Sequence, residues 1–290
     1  MTTRSDVLIS AEELSRILAT GTPVTVLDVR WRLDRPDGRD DHRTGHIPSA
    51  VYVSLEDELS DHAVSGRGRH PLPSGGALER NLRTWGVREG VPVVVYDDWN
   101  RAGSARAWWV LTAAGVADVR ILDGGLAAWR AAAGALKSGA TTPPPGDVTA
   151  AHRDLYDGAR STVTAEDLRD FAGRGVLVDA RAPERYRGEV EPVDPVAGHI
   201  PGAVNVPNIA ILDDEGRFRP AAEVRALFAA AGADVSAPLA LYCGSGVTAA
   251  VGLAALAAAG IDAALFPGSW SQWSGEPSNP VAVGRHVGAL

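Results

Sequence analysis

The stretch "APLALYCGSGVTAAVGLAALAAAG", residues 237–260, reads as three pieces in succession. "PLALY" is a short apolar run of the kind that forms a strand buried on both faces. "CGSGVT", Cys243–Thr248, carries two glycines and no charge. The apolar run Val251–Phe266 contains Gly252, Gly260 and Asp262 and is short for a membrane span, so it reads as a buried helix followed by a strand. A strand, a tight glycine loop and a helix aim several backbone N–H groups, and the positive end of the helix, at one point. Cys243, the only cysteine among 290 residues, sits at the carboxyl end of that strand. The setting favours the thiolate, which is the reactive form. The bland alternative is a small buried hydrophobe, the commonest role of a lone cysteine.

Working outward, the chain repeats itself. "VTVLDVR" (Val24–Arg30) is echoed by "GVLVDAR" (Gly175–Arg181), and "TGHIPSAVYV" (Thr44–Val53) by "AGHIPGAVNV" (Ala197–Val206). "VPVVVYDD" (Val91–Asp98) is echoed by "APLALYCG" (Ala237–Gly244), and "ILDGGLAAW" (Ile121–Trp129) by "LFPGSWSQW" (Leu265–Trp273). The order is kept and the offset is about 145 to 153 residues, one domain length. "KSGATTPPPGDVTAAHRD" (Lys137–Asp154) lies between the copies and reads as an extended linker. The expected division is a first domain over 1–140, a linker over 141–160 and a second domain over 161–290. Apolar strands alternate with capped amphipathic helices such as "SAEELSRILATG", "TAEDLRDFAGRG" and "PAAEVRALFAAAGAD". That alternation implies an α/β fold in which each domain is a mostly parallel sheet flanked by helices, with functional loops at the strands' carboxyl ends. Asp97 stands in the first copy where Cys243 stands in the second, so one copy reads as chemically active and the other as supporting.

Composition narrows the function classes. Hydrophobic residues make up 45% of the chain, enough for two cores, and the formal net charge of -8 argues against a nucleic-acid partner. A single cysteine forms no internal disulfide, and "MTTRSDVLIS" lacks the apolar core of a signal peptide. A cytoplasmic location without membrane contact is therefore expected. No Cys/His cluster has zinc-ligand spacing and no glycine loop carries a phosphate-binding lysine, so neither metal nor cofactor is expected.

The paired D-x-R, GHIP and GGLAAW/GSWSQW segments, with a cysteine only in the second copy, resemble the two-domain rhodanese family of sulfurtransferases over nearly the whole chain. "CGSGVT" resembles the loop of the branch that uses 3-mercaptopyruvate; the thiosulfate-preferring branch carries basic residues after the cysteine, where Gly244 and Ser245 stand here. The resemblance implies two tandem rhodanese-like domains and a ping-pong sulfur transfer through a Cys243 persulfide. It implies a small-molecule sulfur donor and a thiol acceptor such as thioredoxin or a small thiol, or cyanide. It also implies that Gly244, Gly246, Val247 and Thr248 cradle the donor and that Arg185 clamps its carboxylate, the alternative being a plain surface charge. Val193 and Asp194 stand where some relatives have a second clamp arginine, leaving Arg187 or Arg181 to compensate. Ser245, His70 and Glu56 match a proton-handling serine, histidine and acid, although the family often has Asp at the last position; the alternative for His70 is an ordinary loop histidine. His46 and His199 occur in both copies, which suggests scaffold, as does the strand-end placement of Arg30 and Arg181. Trp270 and Trp273 either wall the pocket or pack the core.

Three rivals remain at this level. The first is the same chemistry with thiosulfate as donor. The second is a cysteine-dependent phosphatase, which needs an arginine six positions after the cysteine, where Ala249 stands. The third is a non-catalytic binding module, against which the retained cysteine argues.

Overall fold

The computed structural model describes residues 2–284; the expected end of the second domain at 290 lies outside them. Two parallel sheets form. The first contains β1 (Leu8–Ile9), β2 (Thr25–Asp28), β3 (Val51–Tyr52), β4 (Val93–Tyr96) and β5 (Val119–Leu122), in the order β1-β5-β4-β2-β3. The second contains β6 (Val176–Asp179), β7 (Val204–Asn205), β8 (Leu239–Tyr242) and β9 (Ala264–Leu265), in the order β7-β6-β8-β9. Leu27 pairs with Val95 in the first sheet and Val178 with Leu241 in the second, so β4 and β8 hold equivalent central places. All four residues of each are buried, as "VVVY" and "LALY" demand of a strand covered on both faces. Among the described residues the second sheet has no counterpart of β1. Residues 161–163 take that edge instead: Val163 N–H donates to Leu265 O at 2.8 Å, and Leu265 N–H to Ser161 O at 3.0 Å.

Local signals account for several helices. In Ala11–Thr20, Ser10 Oγ accepts the Glu13 N–H, and Gly21 closes the helix at φ 68°. The matching segment of the second copy is shorter: the helix Ala165–Arg169, capped by Thr164 and Asp167, gives way to a 3-10 turn over Phe171–Gly173. The reason is spacing. Fifteen positions separate Ser10 from Thr25, but only twelve separate Thr164 from Val176, so one helical turn has no room.

Two apolar helices join the halves. Every residue of Ala249–Ala258 is buried, and its neighbour from the first domain, Ala102–Ala113, is buried except at Thr112. They pack on each other, which is why neither shows a polar face. The Pro-rich stretch between the copies is extended but not free. Gly146 N–H donates to Arg83 O at 2.7 Å, Lys137 and His46 exchange backbone bonds, and Ala151 N–H reaches Ala114 O at 2.9 Å. The linker is thus strapped along the first domain.

The D-x-R pairs are scaffold. Arg30 is bound to Asp28, and Arg181 to Asp179 at 2.7 Å, all four buried. Each arginine also donates to the carbonyl of the glycine opening its GHIP turn, Gly45 or Gly198. His46 Nδ1 and His199 Nδ1 bond the backbone carbonyls of His42 and Tyr186, as a structural reading of both expects. Trp270 and Trp273 are core residues, with indole N–H groups on Val196 O and Pro280 O.

Candidate active site

Cys243 follows β8 directly and is almost wholly buried. The loop Cys243–Thr248 is clamped from one side by residues 267–271. Cys243 N–H donates to Ser269 Oγ at 3.2 Å; Trp270 N–H and Ser271 N–H donate to the carbonyls of Cys243 and Gly244 at 3.0 and 2.9 Å. Gly246 has φ 75°, and a Cβ there would lie 2.4 Å from Pro267 O. Glycine is therefore required twice over, for conformation and for space. Val247 turns its side chain into the core, and Thr248 precedes the first helical turn of Ala249–Ala258, so both can meet a ligand through backbone N–H groups.

The matching loop of the first domain holds a side chain of its own. There Asp97 places its own carboxylate in the cradle. Its Oδ1 accepts the N–H of Trp99 and Arg101 at 3.0 and 3.3 Å, and its Oδ2 accepts the N–H and Oγ–H of Ser104 at 3.0 and 2.6 Å. Arg101, equally buried, pairs with it at 3.0 Å. The first-copy loop thus closes on a carboxylate of its own, which is a structural role for Asp97.

A chain of hydrogen bonds reaches the second loop from the first domain. Ser245 Oγ lies 2.7 Å from His70 Nδ1, and His70 Nε2 lies 3.1 Å from Glu56 Oε1. Glu56 is fixed further by the Trp31 indole N–H at 2.6 Å and by His62 Nε2 at 3.0 Å. Burial alone would push its carboxyl up, but the bonds from His70 and Trp31 outweigh that and hold it down at about 2. A carboxylate only accepts, so the proton between the two sits on His70 Nε2. That leaves Nδ1 bare, with the Ser245 hydroxyl donating to it. Burial keeps His70 below its ordinary value, against the opposing pull of Glu56, so the imidazole is neutral at pH 7.

Three arginines surround the loop, and two of them were not legible as site residues. Arg185 stands 3.7 Å from where a Gly244 Cβ would be, and Arg69 3.0 Å from it. Arg106 lies beneath. Wholly buried and with no carboxylate bound among the described residues, it donates to the carbonyls of Gly246, Leu59 and His70 at 3.3, 3.2 and 3.0 Å. Burial draws it down to about 10, while Tyr156, Cys243 and Glu56 pull the other way. Arg106 thus ties the cysteine loop to the segment carrying His70. A lone cation inside "AGSARAWWVL" was a signal for it; the Arg69 signal was a basic residue beside His70 in "GRGRHPLP". Of the two residues considered as replacement clamps, Arg187 pairs with Glu189 on the surface, and Arg181 is occupied by Asp179 and Glu191. Neither is turned to the loop by these contacts.

Comparison with known proteins agrees with this architecture. The rhodanese-like domain model matches twice, over residues 10–132 and 164–276. The chain belongs to the rhodanese family. SseB of Mycobacterium tuberculosis, which carries a thiosulfate sulfurtransferase name, is 59% identical over 98% of this chain and 99% of its own. A Pseudomonas aeruginosa protein with a 3-mercaptopyruvate sulfurtransferase name is 43% identical over 96% of this chain and 98% of its own. The crystal structure of the 3-mercaptopyruvate enzyme SseA from Escherichia coli superposes with a TM-score of 0.80 at 33% identity, covering 91% of this chain and 98% of that one. The chain is a sulfurtransferase with two tandem rhodanese domains, so the phosphatase and binding-module readings fall away. No helix among its described residues is long and apolar enough to cross a membrane.

Proposed function

We propose that this sulfurtransferase moves the sulfur of 3-mercaptopyruvate to a thiol or to cyanide through a persulfide on Cys243. The Cys243 thiolate attacks the donor sulfur, an S–S bond forms and the C–S bond breaks. Its electron pair leaves on carbon as the enolate of pyruvate, which must take up one proton. An acceptor thiolate then attacks the outer sulfur, the S–S bond to Cys243 breaks, and the Cys243 thiolate returns. Covalent catalysis thereby divides one transfer into two displacements.

The observation that carries this reading is the Ser245–His70–Glu56 chain. Its resting tautomer is set to accept a proton through Ser245 and to hand it back, with Glu56 stabilising the imidazolium between. An enolate leaving group needs that returned proton. Sulfite, the leaving group from thiosulfate, is a stable anion and does not. Ser245, His70 and Glu56 are therefore assigned to proton handling, Arg185 to the donor carboxylate, and the N–H groups of Gly244 to Thr248 to the persulfide.

Thiosulfate remains the second reading. The loop itself is uncharged, but Arg69 and Arg185 reach it through space, so a dianion is not disfavoured there. The SseB name points the same way. Intact mass after incubation with 3-mercaptopyruvate is expected to rise by about one sulfur atom, on Cys243 and absent in Cys243→Ala. Higher kcat/KM with thiosulfate than with 3-mercaptopyruvate would reverse the order of donors.

A further inference from the structure

Arg106 places a full charge on the helix Ala102–Ala113, which is otherwise apolar apart from Ser104 and Thr112. A buried cation is costly unless its protons are received. Arg106 Nη1 donates to Gly246 O at 3.3 Å, and Nη2 to Leu59 O and His70 O at 3.2 and 3.0 Å; the buried Nε has no partner among the described residues. Each acceptor borders the hydrogen-bonded chain at the cysteine loop. Gly246 adjoins Ser245, Leu59 closes the helix Leu55–Glu58 that carries Glu56, and the third carbonyl belongs to His70 itself. One planar, rigid guanidinium therefore touches the backbone beside Ser245, His70 and Glu56, the first from the second domain and the other two from the first.

Charge gives a second observation. Arg69 is bound to Asp194, and Arg185 to Glu191 at 2.6 Å with Asp194 at 3.4 Å. Glu56 adds a carboxylate behind the imidazole of His70. The clamp faces Cys243 with neutral groups, the Ser269 hydroxyl and the Trp270 N–H, and Tyr156 lies within electrostatic reach of Arg106. Asp194, Glu191 and Glu56 thus stand against Arg69, Arg185 and Arg106. Of these three cations only Arg106 has no carboxylate bound among the described residues.

We infer that Arg106 is a positioning residue for the cysteine loop: it holds Ser245, His70 and Glu56 in register across the domain boundary, and its charge supports the Cys243 thiolate from beneath. Being wholly buried, it meets no substrate. Its bond to Gly246 O polarises the peptide unit whose N–H, that of Val247, belongs to the loop. Without Arg106 the carboxylates around the loop would outnumber the cations, and a thiolate would add to that excess. This inference rests on the persulfide and proton-handling reading above.

Two variants test it. Arg106→Met keeps the bulk and removes the charge; Arg106→Lys keeps the charge and loses the planar fork. Cys243 is the only cysteine, so the ultraviolet absorbance of the thiolate against pH, blanked with Cys243→Ala, reports it alone. Circular dichroism checks folding. Arg106→Met is expected to raise the pH midpoint of the thiolate by about 1 pH unit, the lower end of the effect of a neighbouring opposite charge. Its kcat with 3-mercaptopyruvate and dithiothreitol should fall about a hundredfold, as for a misplacement of about 1 Å, with KM within about threefold. Arg106→Lys should keep the wild-type midpoint and recover part of kcat. In folded Arg106→Met, a wild-type midpoint would overturn the electrostatic role and a wild-type kcat the positioning role. Should Arg106→Met not fold, reduced kcat at unchanged KM in Arg106→Lys supports the inference, and wild-type kcat there overturns it. A wild type that gains no sulfur on Cys243 would overturn the underlying function instead.

Discussion

Gly246→Ala isolates how closely the nucleophile loop is fitted, and Gly232→Ala supplies its control. Both glycines have positive φ, 75° and 83°, so an alanine at either carries the left-handed cost of about 1–2 kcal/mol. At Gly232 a new Cβ meets nothing within 4 Å; at Gly246 it lies 2.4 Å from Pro267 O, where ordinary contact begins at 3.4 Å. The loop or its clamp must therefore yield by about 1 Å, which by the usual cost of overpacking adds about 1–3 kcal/mol. Pro267 is poorly placed to give way, because Phe266 N–H is bonded to Leu241 O and Trp270 N–H to Cys243 O on either side of it. The displacement falls on the N–H cradle and on Ser245. A misplacement of about 1 Å costs about a hundredfold in rate. Gly232→Ala should keep wild-type kcat/KM and lose only a little thermal stability. Gly246→Ala should melt lower than Gly232→Ala and lose about a hundredfold in kcat/KM. Donor turnover and thermal midpoints of the three proteins, measured side by side, decide it. Equal activity in the two variants would refute the claim that the Pro267 contact positions the loop.

Other outcomes follow from the same site. His70→Asn should lower kcat with 3-mercaptopyruvate by about 10²–10⁴ while leaving thiosulfate turnover within a few-fold, because only the enolate needs the returned proton; parallel losses on both donors would remove the proton-relay role. Since burial keeps His70 below its ordinary 6.5, the acid limb of the kcat/KM profile should fall below pH 6.5, where the base becomes protonated. Stability carries the same sign: as pH drops from about 6.5 toward the folded value, the unfolded chain binds the proton first and the fold weakens, a loss that His70→Asn should abolish in pH-dependent melts. Asp97→Ala strips a buried partner from Arg101 and four hydrogen bonds from the first-domain loop, so it should destabilise by about 3–5 kcal/mol in denaturant titration.

Much of the architecture was open to reading because it is local and because it occurs twice. Strands such as "VVVY" and "LALY" announce burial on both faces by composition, and Ser10, Thr164 and Gly21 mark helix ends by their own chemistry. The repeat supplied its own comparison, with Asp97 in the first copy standing against Cys243 in the second. The truncated helix at Ala165 escaped notice because its caps are sound; only the distance to β6 cuts it short.

What the chain alone determined is the placement of its one cysteine, the glycine loop that follows and the two-domain frame, since each is a property of contiguous residues. What only the tertiary structure decided is the charge around that loop. Asp194 looks like a missing cation in sequence, yet in space it bridges Arg185 and an arginine from the other domain. Arg106 looks like a stray charge on an apolar helix, yet it lies beneath Gly246 and bonds the carbonyl of His70. Electrostatic and hydrogen-bond partners are chosen by proximity after the two apolar helices pack together, and no pattern along the chain encodes that pairing.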